Sequence, residues 1–261
     1  MTKPLISVVM PVHNGLPYLN QAIESVLSQS LGDFELICID DASSDGSAAV
    51  LAAIQDPRLR LVRNRKQSGL AMVLNRGLRL ARGKYWARMD ADDVSLPRRL
   101  ELQALFLERH SEISLVGAWA KTIGLPKEQV WKFPLAAEAI KAELLFNSPL
   151  IHSSVMLRRE DFQRKGLRYD KTVEHAQDYE LWERAAQKLQ LANLPKVLLR
   201  YRIHAKQIGR AHGAGQARTA ADVRARQLER LKLGATKRGL LLHDQISTWK
   251  FSTNTSLPGN R

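Results

Sequence analysis

Strand-like and helix-like segments alternate from residue 5 to residue 90, and this alternation constrains the fold more than any other feature of the sequence. Short apolar, β-rich runs occupy residues 5–12, 34–40, 59–63 and 85–90. Segments with apolar residues at helical spacing lie between them. Such a pattern is typical of parallel strands with helices on both faces of a sheet. We therefore predict an α/β fold with a Rossmann-like, mostly parallel central sheet flanked by helices.

The second half of the chain continues in a looser order. The sequence predicts helices over 97–109, 135–146 and 177–190, and strands over 113–123, 151–157 and 196–203. Residues 205–216 are rich in Gly and small side chains, which is typical of a loop. A basic helix is predicted over 217–233.

The charge of the chain is concentrated near its end. Of the 40 Lys and Arg residues in the 261-residue sequence, 13 lie in residues 199–261, which hold three acidic residues. A basic segment of this kind could contact nucleic acid, an anionic membrane or an anionic substrate, or form a solvated helix face. Zinc-ligand spacing, an aromatic and basic ribonucleoprotein motif and heptads are all missing from the sequence, so we expect no specific binding of nucleic acid.

Other features of composition restrict the class of protein. The single residue Cys38 excludes a disulfide framework and fits a reducing compartment. No apolar run approaches the about 18 residues that a spanning helix requires. The first residues lack the pattern of a secretory signal. We therefore expect a cytoplasmic protein.

Acidic and polar residues follow the predicted strands where each strand ends. PVHN ends the first strand, Asp40 and Asp41 end the second, and the sequence DADD from Asp90 follows the fourth. Ligands of parallel sheets bind beyond these carboxyl ends. Neighbouring carboxylates repel unless a cation or hydrogen-bond donors offset their charge, and hard oxygen ligands suit Mg²⁺ or Mn²⁺. Helix capping is the alternative, before Ala48 for Asp41 and near Pro97 for the DADD segment.

The order and spacing of several motifs resemble one enzyme family. The segments are PVHN, ICIDDASSDGS, GLAMVLNRGLRLARGKYWARMDADD, PRRLELQ, HSSVMLRRE, QDYELW and YRIH. Together they closely resemble glycosyltransferase family 2 over residues 5–208. The resemblance implies a glycosyltransferase-A fold and inverting transfer of a sugar from a nucleotide diphosphate sugar, with UDP as the expected carrier.

The resemblance also implies roles for individual residues. On the donor side, the nucleotide sugar is expected to meet Pro11, His13, Asn14, Asp40, Asp41, Asp90, Ala91 and Asp92. Asp40 would take the base, with Asp41 alongside, and Asp90 would approach the ribose. Asp92 would ligate Mn²⁺ or Mg²⁺, and His204 would approach the metal or the diphosphate.

The acceptor side takes its expected catalytic residue from QDYELW. Asp178 falls where such enzymes place the general base, with Glu174 and Glu180 as alternative bases and helix capping as the alternative role for Asp178. Trp131 and Trp182 could stack on a sugar ring.

The domain organisation follows from the extent of the resemblance. We predict a catalytic domain over 1–208, with a nucleotide-sugar-binding half at 1–95 and an acceptor-binding half at 96–208. Residues 209–261 form a basic C-terminal extension. The acceptor is expected to be a saccharide or a lipid-linked molecule in cell-surface polysaccharide or lipopolysaccharide synthesis. The basic extension could then dock on the inner face of the cytoplasmic membrane. The alternatives are a basic nucleic-acid-binding protein and a sugar nucleotidyltransferase.

Overall fold

The computed structural model describes residues 3–205, 207, 213–233 and 236–249. Among these residues, a nine-stranded sheet forms the centre of the molecule. The strands are β1 (Ile6–Val12), β2 (Phe34–Asp40), β3 (Leu59–Arg63), β4 (Tyr85–Arg88), β5 (Val94–Ser95), β6 (Ile113–Ile123), β7 (Val130–Trp131), β8 (Met156–Arg158) and β9 (Gln190–Arg202). The helices are α1 (Leu19–Leu27), α2 (Ser47–Ala53), α3 (Leu70–Leu80), α4 (Arg99–Arg109), α5 (Ala137–Glu143), α6 (Arg159–Arg164), α7 (Gln177–Ala186), α8 (Gly213–Arg230) and α9 (Lys237–Trp249).

The sheet has two parts of different character. Its strand order is β3-β2-β1-β4-β8-β6-β9-β5, and β7 pairs with β6. The first four strands in this order are parallel, as the sequence predicts. From β8 onward the sheet is mixed: β8 is antiparallel to β4 and β6, whereas β6 and β9 are parallel. The expectation of a mostly parallel sheet therefore holds for the first half of the chain.

Helices cover both faces of the parallel strands. In β1, Val8 and Met10 belong to the core beneath α1 and α4, whereas Val9 belongs to the core beneath α3. Successive side chains of a strand point to opposite faces, so a strand covered on both sides is apolar throughout. Every residue of β2 is buried for this reason.

The segment 151–157 departs from the predicted strand. Residues His152–Ser154 form a 3₁₀ turn, and the strand β8 begins only at Met156. The Ser154 hydroxyl donates to the carbonyl of Ile151 at 2.8 Å, and the Ser153 hydroxyl donates to the Asp93 carboxylate at 2.5 Å. Serine side chains that bond locally compete with strand pairing, which explains the turn.

The C-terminal helices pack against the second half of the sheet domain. Val223 of α8 is fully buried in the core that contains α7. Gln227 donates to the carbonyl of Leu144 at 2.8 Å, and the ring of Phe146 stacks on His243 of α9 at 4.8 Å. The helix α8 begins at residue 213, inside the loop predicted over 205–216, of which residues 206 and 208–212 lie outside the described part. Among the described helices, none has both the length and the apolar character that crossing a bilayer requires.

Candidate active site

The candidate site lies at the carboxyl ends of β1 and β4, where the strand order reverses. It is called the cleft below. Pairing of these strands ends where Met89 N donates to the carbonyl of Val9 at 3.1 Å. Pro11 is two residues further along β1, where β4 no longer pairs with it. Proline has no N–H to donate, and at this position no β4 carbonyl requires one. Open α/β sheets bind ligands at such a switch point, beyond the carboxyl ends of the strands.

The turns after β1 and β2 form one hydrogen-bonded unit. The Nδ1 atom of His13 lies 2.9 Å from the carbonyl oxygen of Asp41. Asn14, in the left-handed region with φ 53°, donates its N–H to the Ser43 hydroxyl at 3.0 Å and accepts from Ser44 N at 2.8 Å. The structure thus brings His13 and Asn14 together with the Asp40–Asp41 turn.

Asp40 and Asp41 have different surroundings. Asp40 is buried, accepts from Ser43 N at 3.1 Å, and has Arg63 Nε at 3.6 Å. Asp41 accepts from the N–H groups of Ser68 and Gly69 at 3.0 and 2.9 Å, immediately before α3. Its carboxylate therefore holds the turn that leads into α3, which begins at Leu70. Capping of the segment before Ala48 was the alternative that the sequence left open.

The hydrogen bonds of Asp41 determine its ionisation. Burial alone would raise the pKa of this carboxyl, but donors on Asn64, Ser68 and Gly69 bring the pKa below its ordinary value. Asp41 is thus held ionised, and it fixes the loop of residues 64–69 beside the cleft.

Three carboxylates crowd the loop after β4. One oxygen each of Asp90, Asp92 and Asp93 lies within 4.8 Å of the others. Asp93 is buried and uses both oxygens within the chain, accepting from Ser153 Oγ at 2.5 Å and from Arg202 N at 2.8 Å. Asp90 and Asp92 keep 26% and 28% of their side chains exposed, so these two carboxylates face the cleft.

Two buried guanidinium groups lie behind this acidic loop, and the sequence analysis identified neither. Arg88 Nη2 donates to Asp90 at 2.5 Å, while its Nε and Nη1 are buried without a hydrogen-bond partner among the residues that the structure describes. Arg99 donates to the carbonyl of Arg88 at 2.6 Å, and burial lowers the pKa of Arg99 to about 10. Burial, reinforced by Asp92, raises the pKa of Asp90 against the opposing charge of Arg88. The only sequence clue was a pair of basic residues flanking an acidic loop.

The end of β9 completes the acidic loop from the other side. His204 Nε2 lies 2.9 Å from Asp92 Oδ2. Arg202 donates to the carbonyl of Asp92 at 2.7 Å, and its guanidinium carbon lies 4.3 Å from the ring centre of Tyr18. Asp90, Asp92 and His204 offer two partly exposed carboxylates and an imidazole at one place. This donor set suits a divalent cation such as Mn²⁺ or Mg²⁺.

Asp178 is the second residue of α7, and its charge is felt at the acidic loop. Its negative charge raises the pKa of Asp90, and the positive charge of Arg88 acts on both carboxyls. Burial raises the pKa of Asp178, with Tyr179 N–H and Arg88 acting in the opposite direction. The alternative base Glu180 is buried, and each of its carboxylate oxygens accepts a hydrogen bond from Arg184 at 2.7 Å. Neither oxygen is therefore available to an acceptor hydroxyl.

The two tryptophans that the sequence suggested for stacking on a sugar differ in their exposure. Trp182 is fully buried between α7 and the core, so it cannot stack on a sugar as suggested from the sequence. Trp131 is half-buried, with its ring 5.1 Å from that of Tyr201. The pKa of the Tyr201 hydroxyl is raised by burial and by nearby carboxylates, Asp93 foremost, which places this aromatic pair beside the acidic loop.

Comparison with known proteins identifies the family. The sequence model described as Glycosyl transferase family 2 matches residues 7–166. The chain belongs to glycosyltransferase family 2. It is 30% identical over 233 residues to an uncharacterized glycosyltransferase of Haemophilus influenzae, covering 85% of this chain and 72% of that protein. This family 2 chain is therefore a glycosyltransferase enzyme, as expected from the motifs.

Two solved structures share the fold of the family 2 chain. Staphylococcus aureus TarS, residues 1–349 in complex with UDP-GlcNAc, aligns with a TM-score of 0.67 at 17% identity, over 85% of this chain and 66% of that one. The mannosyltransferase PcManGT from Pyrobaculum calidifontis, in complex with GDP-Man and Mn²⁺, aligns with a TM-score of 0.68 at 19% identity, over 98% and 77%. These likenesses confirm the glycosyltransferase-A fold. The chain spans just under two thirds of the TarS segment.

The first prediction concerns Asp41. Replacing Asp41 with Ala removes the acceptor for four donors, so we expect the free energy of unfolding to fall by about 2 to 3 kcal/mol. The pKa of Asp41 is lowered in the folded chain, so its contribution exists above the ordinary carboxyl pKa and is lost as the pH falls through the lowered value. Urea denaturation of the native and Asp41→Ala chains should therefore show a stability difference that shrinks toward acid. Asp33→Ala, at an exposed position, serves as the control and should change stability by less than about 0.5 kcal/mol.

Proposed function

We propose that this glycosyltransferase is an inverting, metal-dependent enzyme that moves a sugar from a nucleotide diphosphate sugar to a saccharide or lipid-linked acceptor. Its product would enter cell-surface polysaccharide or lipopolysaccharide synthesis. The observation that supports the proposal is the crowding of the Asp90, Asp92 and Asp93 carboxylates, with His204 Nε2 2.9 Å from Asp92. In this proposal, Asp92 and His204 would stabilise the leaving group, and Asp178 would remove the proton.

The donor is assigned to the first half of the chain, residues 1–95. Pro11, His13 and Asn14 would border the nucleotide largely through their backbone, with Asp40 on the base and Asp41 holding the neighbouring loop. Asp90 and Ala91 would lie along the ribose. UDP is the proposed carrier, supported by the likeness to the TarS complex with UDP-GlcNAc. The PcManGT complex with GDP-Man makes GDP the competing outcome.

Asp92 and His204 are the proposed metal ligands. A divalent cation held there supplies positive charge against the departing diphosphate, without a proton donor. Arg88 and Arg99 already offset part of the charge of the acidic loop from behind.

Asp178 is the proposed general base. The acceptor hydroxyl must lose its proton as it attacks the sugar, and a carboxylate within hydrogen-bond reach contributes about 10²- to 10⁴-fold in rate. The raised pKa of Asp178 brings its basicity closer to neutral pH and strengthens it as a proton acceptor. A single displacement from the opposite face of the sugar inverts the anomeric centre. Residues 96–208, which contain Asp178 and the Trp131–Tyr201 pair, form the proposed acceptor-binding half.

Metal-dependent donor binding tests the role of Asp92. Titration with UDP-, GDP- and dTDP-sugars, with and without Mn²⁺, should show tight binding of one carrier only when the metal is present. Asp92→Asn should weaken that binding about 10-fold or more. Even changes to residues that only hydrogen-bond to a metal ligand lower metal affinity about 10- to 100-fold. Asp161→Asn, a carboxylate bound to Ser114 away from the cleft, is the control. Equal donor affinity with and without metal would refute the metal proposal.

Transfer kinetics test the role of Asp178. Asp178→Asn should bind donor with native affinity and lose about 100-fold or more in kcat. In the native chain, kcat/KM should fall as the pH drops through a pKa above the ordinary Asp value, since protonated Asp178 cannot accept a proton. A native transfer rate for Asp178→Asn would show that another group is the base.

The C-terminal helices are the proposed contact with the membrane that holds a lipid-linked acceptor. Leu242 and Ile246 of α9 are 56% and 41% exposed and four residues apart, so they share one helix face. Leu231 and Leu233, which follow α8, are 47% and 62% exposed. The basic residues of the 199–261 segment favour an anionic surface.

Vesicle binding tests this contact. The native chain should sediment with vesicles that contain anionic lipid and much less with zwitterionic ones. Leu242→Glu combined with Ile246→Glu should reduce sedimentation about 10-fold. Each change removes apolar area that would enter the bilayer and adds a negative charge that the anionic lipids repel. Leu105→Glu, at a residue of α4 that is 42% exposed, should have no effect. Native binding by the double variant, or binding of duplex DNA in preference to vesicles, would contradict the proposal.

A further inference from the structure

Asp178 follows a loop whose backbone conformation needs outside support. Ala176, two residues before it, is left-handed with φ 51°. The Ala176 carbonyl accepts from Glu180 N at 3.2 Å, so this residue forms the entry to α7. Non-glycine residues persist in this conformation only where surrounding contacts hold them. The position of Asp178 therefore depends on what packs against residues 170–176.

Helix α8 supplies much of that support to α7. Glu183 of α7 is buried, and Arg230 of α8 binds it with 2.6 Å between Nη1 and Oε1. Glu180 is also buried, and Arg226 Nη2 lies 3.9 Å from its Oε1. Buried carboxylates require such partners, so α7 and α8 are held as a pair.

The first turn of α8 touches the loop itself. A Cβ atom added to Gly215 would lie 2.3 Å from Cδ2 and 2.9 Å from Nε2 of His175. Glycine lets the helix backbone lie this close to the imidazole ring, and any Cβ at this position would force the ring or the helix to move. His175 is three residues before Asp178, so the contact reaches the entry of α7.

We propose that the first turn of α8 is a positioning element for sugar transfer. Gly215 contacts His175, and this contact fixes the position of the Asp178 side chain. The proposal rests on the role of Asp178 given above. It assigns a part in transfer to a segment that begins 47 residues after the family-matched region, which ends at residue 166.

Paired glycine substitutions test the proposal. Gly215→Ala should lower kcat about 10- to 100-fold while leaving donor affinity unchanged, because a misplacement of about 1 Å can cost about 100-fold. Gly215→Leu should lower kcat further. The matched controls are Gly213→Ala and Gly213→Leu, since a Cβ at Gly213 meets no atom of the described part of the chain within 4 Å. Alanine and leucine favour helices over glycine, so neither position loses helix propensity.

Removal of the opposing ring gives a second readout. His175→Ala should itself lower kcat, because it removes the contact. Gly215→Ala should then lower kcat no further in the His175→Ala background, because the ring that the new Cβ meets is gone. Hydrogen–deuterium exchange should become faster in residues 170–178 in the Gly215 variants and stay native in the Gly213 variants.

Three results would overturn the proposal: native kcat in Gly215→Leu, a further loss of kcat when Gly215→Ala is added to His175→Ala, or unchanged exchange over residues 170–178. The exchange measurement tests the contact without transfer. It therefore separates failure of this inference from failure of the base assignment, which Asp178→Asn tests by itself.

Discussion

Repulsion among three carboxylates at the end of β4 is the constraint on which the cleft depends. Asp90, Asp92 and Asp93 place oxygens within 4.8 Å of one another, and such crowding is tolerated only where positive charge or hydrogen-bond donors offset it. Arg88 and Arg99 provide buried positive charge, and Asp93 is bound by neutral donors. The partly exposed carboxylates Asp90 and Asp92 then leave net negative charge at the open side of the loop, which is a suitable place for a cation.

The parallel half of the molecule could be predicted closely because its determinants are local. The mainly apolar run of residues 34–40 coincides with β2, since a strand buried on both faces is apolar at most of its positions. The same logic explains why the strand-end turns of β1, β2 and β4 meet: parallel strands that are neighbours in a sheet bring their carboxyl ends to one edge. The site could therefore be located from the sequence to the level of turns.

Partners that are distant in sequence could not be predicted from local pattern. Asp41 was expected beside the base or at the start of the segment before Ala48, but it binds Ser68 and Gly69, 27 and 28 residues later. His204 reaches Asp92 because β9 pairs with β5, with Val94 opposite Arg200. Such pairing depends on sheet topology, which periodicity does not encode. His204 was placed by family resemblance alone.

The two sides of the cleft differ in how the chain builds them. Every nucleotide diphosphate sugar has the same diphosphate between its nucleoside and its sugar. The turns proposed to face it can therefore be short and internally bonded, as the turns after β1, β2 and β4 are. Acceptors differ in shape, and the residues on their side are carried by α7, β9 and the helices that follow. In the proposal made above, Asp178 depends on Ala176, α7 and α8 together, so its position would change with the C-terminal helices and that of the acidic loop would not. A family built this way can keep one leaving-group chemistry and vary the acceptor.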